Sequence, residues 1–133
     1  MNMERLQIRT TRRREFIDVT QCIRRLVEEN GWRDGVVVVF SPHTTCGLTL
    51  NEAADPDVAQ DIMASLERLV PEQGAYRHRE GNSDAHVRVS LMGASQMLPV
   101  EGGSLRLGTW QGLFLCEGDG PRARELWVQW LAS

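Results

Sequence analysis

Residues 5–10, RLQIRT, alternate apolar and polar, with Leu6 and Ile8 on one face, and predict a strand. EFIDV (15–19) is the expected hairpin partner. TQCIRRLVEENG (20–31) changes period: Ile23, Leu26 and Val27 form a helical stripe, Thr20 suits the N-cap and Gly31 the C′ position. GVVVVFS (35–41) is a continuous β-branched run, expected as a central strand buried on both faces. PHTTCGLTLNE (42–52) alternates weakly through Leu48 and Leu50 and reads as extended.

DPDVAQDIMASLERLVP (55–71) is the clearest helix. Asp55 fits its N-cap, Pro56 its first turn, Asp57 the positive end of its dipole, and Pro71 stops it. Val58, Ile62, Leu66 and Leu69 make its apolar stripe. A polar loop covers 71–82. SDAHVRVSLMG (83–93) fits a helix capped by Ser83 and ended by Gly93, or a strand through Val87, Val89 and Leu91; the helix is preferred. The remainder reads as three strands joined at EGGS and EGDGPRA, with Trp127 and Gln129 facing away from Val128 and Trp130. The sum is an α+β fold with six or seven mainly antiparallel strands and two or three helices on one side.

The length, 133 residues, suits a single domain over 1–133 with its own hydrophobic core. A net charge of −3, with no basic run longer than Arg12–Arg14, gives no reason to expect a nucleic-acid partner. That triplet is expected in a hairpin turn as a solvated patch. No stretch approaches the roughly 20 apolar residues of a membrane span, and the N-terminus has no apolar signal core. A cytoplasmic protein without a membrane partner is the expectation. Cys22, Cys46 and Cys116 have no metal-knuckle spacing and are expected as free thiols.

Candidate chemistry gathers in two polar stretches. YRHREGNSDAH (76–86) carries His78 and His86, and SPHTTCGLTLNE (41–52) carries His43. Three imidazoles flanked by small polar residues suit a catalytic zinc, which takes three protein ligands and leaves one position open. Three unrelated surface histidines are the alternative, because the spacing of eight between His78 and His86 is no known ligand spacing. Glu52 and Asp84 are candidate catalytic acids, as bases for a bound water or as partners that orient an imidazole; capping alone also explains a carboxylate at Glu52. Thr44, Thr45, Asn51, Asn82, Ser83 and Gln111 are candidate substrate contacts, and Arg77 and Arg79 could hold an anion. Gly47 and Gly81 would let backbone approach a ligand closely. In GTWQG (108–112), Trp110 either walls a pocket or fills the core. Cys46 lies near His43, but no basic neighbour activates it and it is expected as a partly buried thiol.

The blocks PHTTCGLTLNE-AADPDV, YRHREGNSDAH and GTWQGLFLCE resemble the signature of the YjbQ family, also called UPF0047, small bacterial and archaeal proteins. The resemblance spans almost the whole chain. It implies the YjbQ-like α+β fold, assembly as a homotrimer, and a divalent metal, with zinc the expected ion, held by His43, His78 and His86. It also implies a weak thiamine-phosphate synthase activity in some members. One position departs: the family pattern usually has alanine or serine where this chain has Cys46.

Besides a purely structural or interaction protein in which the histidines are incidental, two functions remain open from the sequence. One is a metal-dependent enzyme acting on a small phosphorylated metabolite, as a synthase-like transferase or as a zinc-dependent hydrolase or lyase. A three-histidine site suits water activation better than clamping a pyrophosphate, which calls for magnesium and carboxylates. The other is a non-enzymatic trimeric protein that binds a metal or a metabolite.

Overall fold

The computed structural model describes residues 3–133. Its elements are β1 (Met3–Arg9), β2 (Glu15–Asp18), α1 (Thr20–Glu29), β3 (Gly35–Phe40), β4 (Cys46–Glu52), α2 (Pro56–Leu69), α3 (Ser83–Met92), β5 (Ser95–Glu101), β6 (Ser104–Leu105), β7 (Gln111–Glu117) and β8 (Ala123–Ala132). The fold is α+β, as expected, with eight strands rather than six or seven among the described residues. The extra one is the short β6, which follows the EGGS turn.

Two antiparallel sheets form. One has the order β1-β8-β3-β5-β6, the other β2-β7-β4. EFIDV therefore does not pair with the first strand. β1 pairs with β8 and β2 pairs with β7, so the expected hairpin is split between the two sheets. Alternation marks a strand but carries no information about its partner.

The core lies between the sheets. Val37, Val39, Leu98, Leu126 and Val128 meet Leu48, Leu113 and Leu115, and α1 closes one side with Ile23 and Val27. β3 is central, but within this chain it is buried on one face only. Val37 and Val39 have no exposure, whereas Phe40 on the other face is 40% exposed. α1 begins after Val19, which makes no side-chain cap bond; Thr20 instead sits in the first turn, where its hydroxyl accepts from the Leu113 N–H at 2.9 Å. Asp55 does cap α2, accepting from Asp57 N–H at 2.9 Å, and Pro56 opens it. Leu69, expected in the α2 stripe, is exposed.

α3 carries His86, and its seating fixes where that ring stands. Residues 83–92 are helical, with Asn82 at the N-cap position in place of Ser83 and Gly93 at the end. The helix lies very close to the smaller sheet. A side chain on Gly47 would meet the Gly93 carbonyl oxygen at 2.8 Å, and one on Gly118 would meet Ala85 at 2.9 Å. Gly47 thus admits a helix rather than a ligand.

Candidate functional site

Beyond Phe40, β3 leaves the sheet, and the edge of β8 is open at Glu125. The His43 ring fills that position: its Nε2 lies 3.0 Å from the Glu125 N–H and 3.1 Å from the Glu125 carbonyl oxygen. Which backbone group it bonds follows from the ring tautomer. When Nε2–H donates to the carbonyl, the Nδ1 lone pair is left free, the arrangement by which backbone oxygens orient metal-binding histidines. Burial, and then the nearby Arg124 guanidinium, push His43 below its ordinary value and favour the neutral ring.

His43, His78 and His86 line one polar cleft of about 460 Å³. His86 comes from the first turns of α3, and His78 from the loop before it. Their rings stand edge to face with centroids 5.4 Å apart. Thr44, Thr45 and Asn82, predicted as contacts, line the same cleft. Asn82 is buried, donates to Asp119 at 2.9 Å, and leaves its Oδ1 without a partner among the described residues.

Glu80, Asp119, Arg122 and Arg124 also line the cleft, and no sequence motif points to them. Asp119 accepts from Arg122 at 2.9 Å. Arg124 is buried and paired with Glu117, with Nε 2.8 Å from Oε1, and donates to the Thr45 hydroxyl at 2.8 Å. A subtler signal for that pair exists. Glu117 falls in phase with Leu113 and Leu115, and Arg124 with Leu126, Val128 and Trp130, so alternation puts two opposite charges on core positions. Glu117 is held below the usual carboxylate range: burial works against this, but the hydrogen bonds from Arg124 and Thr10 outweigh it.

The other predicted site residues lie elsewhere. Asp84 is fully buried and turned away from the cleft. It accepts from Arg14 at 2.8 Å, with Arg13 and Arg88 each 3.9 Å away. The geometry makes it an anchor for α3 rather than a base in the cleft. Arg13 and Arg14 are correspondingly not a solvated patch. Arg13 reaches Glu72 at 2.7 Å, Asp119 at 3.4 Å and the Gly81 carbonyl at 3.0 Å, and so ties the His78 loop and the 117–123 turn to the β1–β2 connection. Ser83 opens α3 but does not line the cleft.

Glu52, Asn51 and Gln111 are at the far end of the smaller sheet. Six strand steps separate Cys46 from Glu52, about 20 Å. There the Asn51 side chain accepts from the Glu52 N–H at 2.8 Å and Gln111 accepts from Gly108 N–H at 2.9 Å. Trp110, beside them, neither fills the core nor walls the cleft; it is 64% exposed. Cys46 is fully buried, and burial pushes its thiol up to about 12, which leaves no thiolate for nucleophilic work. All three cysteines are free.

Three imidazoles and an unpartnered amide oxygen are a donor set that fits zinc or a related ion. Among the described residues, however, no three His, Cys, Asp or Glu side chains converge on one point. Among these residues, too, no helix is long and apolar enough to cross a membrane.

The family model for UPF0047 protein YjbQ-like sequences matches residues 4–133. The UPF0047 protein of Methanocaldococcus jannaschii is 47% identical over 123 residues, which cover 92% of this chain and 89% of that protein. YugU of Bacillus subtilis, also a UPF0047 protein, is 45% identical, covering 96% and 97%. A crystal structure of a YjbQ/UPF0047 family protein of Clostridium acetobutylicum superposes with a TM-score of 0.94 at 48% identity, covering 96% of this chain and 99% of that one. A structure from Aeropyrum pernix reaches 0.94 at 34% identity, with both chains covered fully. Sequence and fold agree over nearly the entire length: this chain belongs to the UPF0047, YjbQ-like family.

Proposed function

We propose that the cleft binds a divalent metal, zinc by the chemistry of its donors, and that the protein is a metal-dependent enzyme acting on a small phosphorylated metabolite. The observation that carries this reading is that all three histidines, from segments up to 43 residues apart, line one polar cleft. His43, His78 and His86 would hold the ion. When bound, it would supply a Lewis acid for a phosphoryl or carbonyl oxygen and an acidified water.

The chain's own residues supply the remaining groups. With Nε2 carrying the proton, the Glu125 carbonyl orients His43. Arg122, half exposed at the cleft rim, is placed for the anionic group of a substrate, and Thr44 and Asn82 supply hydrogen bonds beside it. Hydrolysis or elimination fits these groups better than the pyrophosphate displacement of thiamine-phosphate synthesis. The two carboxylates at the cleft, Asp119 and Glu80, already face Arg122 and His78 and do not form a magnesium clamp. Thiamine-phosphate synthesis is a side activity in this reading. A homotrimer is part of it too: the outer face of the larger sheet leaves Phe40, Met97 and Leu131 exposed in the single chain.

The test is a screen of phosphorylated metabolites with chelator-stripped and zinc-reloaded protein, reading phosphate release and loss of substrate. Turnover that needs the reloaded ion supports the reading. Full turnover by the stripped protein contradicts it.

A further inference from the structure

The residues that look functional in the sequence fall into two groups at opposite ends of the β2-β7-β4 sheet. At one end are the histidines. At the other, Glu52, Asn51, Gln111 and Trp110 meet where β4 pairs with β7. Asp18 and the N-terminus of α2, with Asp55 and Asp57, lie at that same end. No fold of one chain brings the two groups together, because β4 runs straight between them.

We propose that the chain assembles head to tail with a second copy of itself, so that the Glu52–Trp110 end of one copy seats on the histidine cleft of the next and completes it. Two complementarities on the surface favour that occupant. The first is charge. The end with Glu52 presents Asp18, Glu52, Asp55 and Asp57, whereas the cleft has Arg122 at its rim and the exposed Arg77 and Arg79 on either side of His78. The second is apolar surface. Trp110 is 64% exposed, and beside the cleft Phe40 stacks on Trp127 at 5.6 Å, with Met97 66% exposed on the same sheet face. This platform adjoins the site directly, since His43 bonds the backbone of Glu125, two residues before Trp127.

The partner brings what the cleft lacks. Asp119 is occupied by Asn82 and Arg122, and Glu80 lies beside His78, while among the described residues the Glu52 carboxylate has only the N–H of Ala54 in its own turn, at 3.3 Å. Glu52 of the neighbour is thus the carboxylate free to take a proton at the cleft, and Trp110 the wall that excludes water. Because the two patches differ, the contact is heterologous, the kind that builds a ring where its rotation closes, rather than a two-fold dimer. The inference rests on the cleft being the functional site, but its test does not depend on the metal.

The experiment uses the full chain in a Cys22→Ser background, with Glu52→Cys and Thr44→Cys combined, treated with a short bis-maleimide and run on a denaturing gel. Both positions are at the surface, and circular dichroism checks that each variant is folded. The expected result is covalent dimers and higher species from the double variant and none from either single variant. Light scattering of a Trp110→Asp variant is expected to show a lower mass than wild type. The proposal is overturned by a folded double variant that gives no cross-link, by a dimer from either single variant, or by a monomeric wild type. Zinc analysis of the same samples separates the two readings. Cross-links without zinc sink the metal site alone, and zinc without cross-links sinks the shared site alone.

Discussion

Glu117 and Arg124 show at the level of single residues how the cleft is held up. Both are buried, and each is satisfied chiefly by the other. Removing one partner strands a charge in the interior, which costs roughly 3–5 kcal/mol. Glu117→Gln and Arg124→Met are each expected to lower stability by about that amount in urea unfolding, and the double variant by less than the sum. The pH dependence has a definite sign. A carboxylate held below its unfolded value contributes stability that is present above the usual carboxylate range and is lost as pH falls through the depressed value. The urea midpoint of wild type should therefore fall on acidification, and Glu117→Gln should flatten that part of the curve. The cysteines give a simpler check. Cys46 and Cys116 are buried with their thiols pushed up, whereas Cys22 is half-buried. Iodoacetamide at neutral pH should label Cys22 alone in the native protein and all three after unfolding, as read by mass spectrometry.

Among the elements, the position of His86 is set by how closely α3 lies on β4. Gly47→Ala places a methyl group 2.8 Å from the Gly93 carbonyl oxygen, backbone that has little room to yield. It should cost roughly 1–3 kcal/mol, the usual range for overpacking, in thermal or urea unfolding. Asp84 anchors the same helix from beneath. Asp84→Asn is expected to destabilise strongly and to loosen α3, seen as faster amide exchange over residues 83–92. Elements of this kind are legible wherever a period or a cap fixes them. The Asp55–Pro56 start of α2, the Gly93 end of α3 and the alternation of β8 are each local properties of the chain. Pairing is not legible. Nothing in EFIDV distinguishes β1 from β7 as its neighbour, and that choice is made by burial of Ile17 against a core the sequence does not display. For the same reason Arg12–Arg14 resembles solvent-facing charge, although two of the three hold the loops of the cleft together.

Across the whole molecule, the larger sheet separates a core face from an outer face that the single chain leaves uncovered. Val37 and Val39 are sealed, while Met97 and Leu131 are exposed by more than half. Both the proposed trimer and the shared site ask this face and the far end of the smaller sheet to meet. The histidines are legible in the sequence as residue types with a plausible chemistry. Their meeting along one cleft is not, because it depends on β3 ending where β8 continues and on α3 descending onto Gly47. Nearness in sequence suggests Asp84 and Glu52 as their partners, but the fold sends one into the interior and the other about 20 Å along a strand.

Whether the three imidazoles exist to hold a metal is decided by elemental analysis of wild type and of a His86→Ala variant, both purified without a metal-binding tag. About one zinc per chain is expected in wild type, lost in a variant that remains folded and of the same oligomeric mass. No metal in wild type, or an undiminished content in His86→Ala, would contradict a metal-binding role for the cleft.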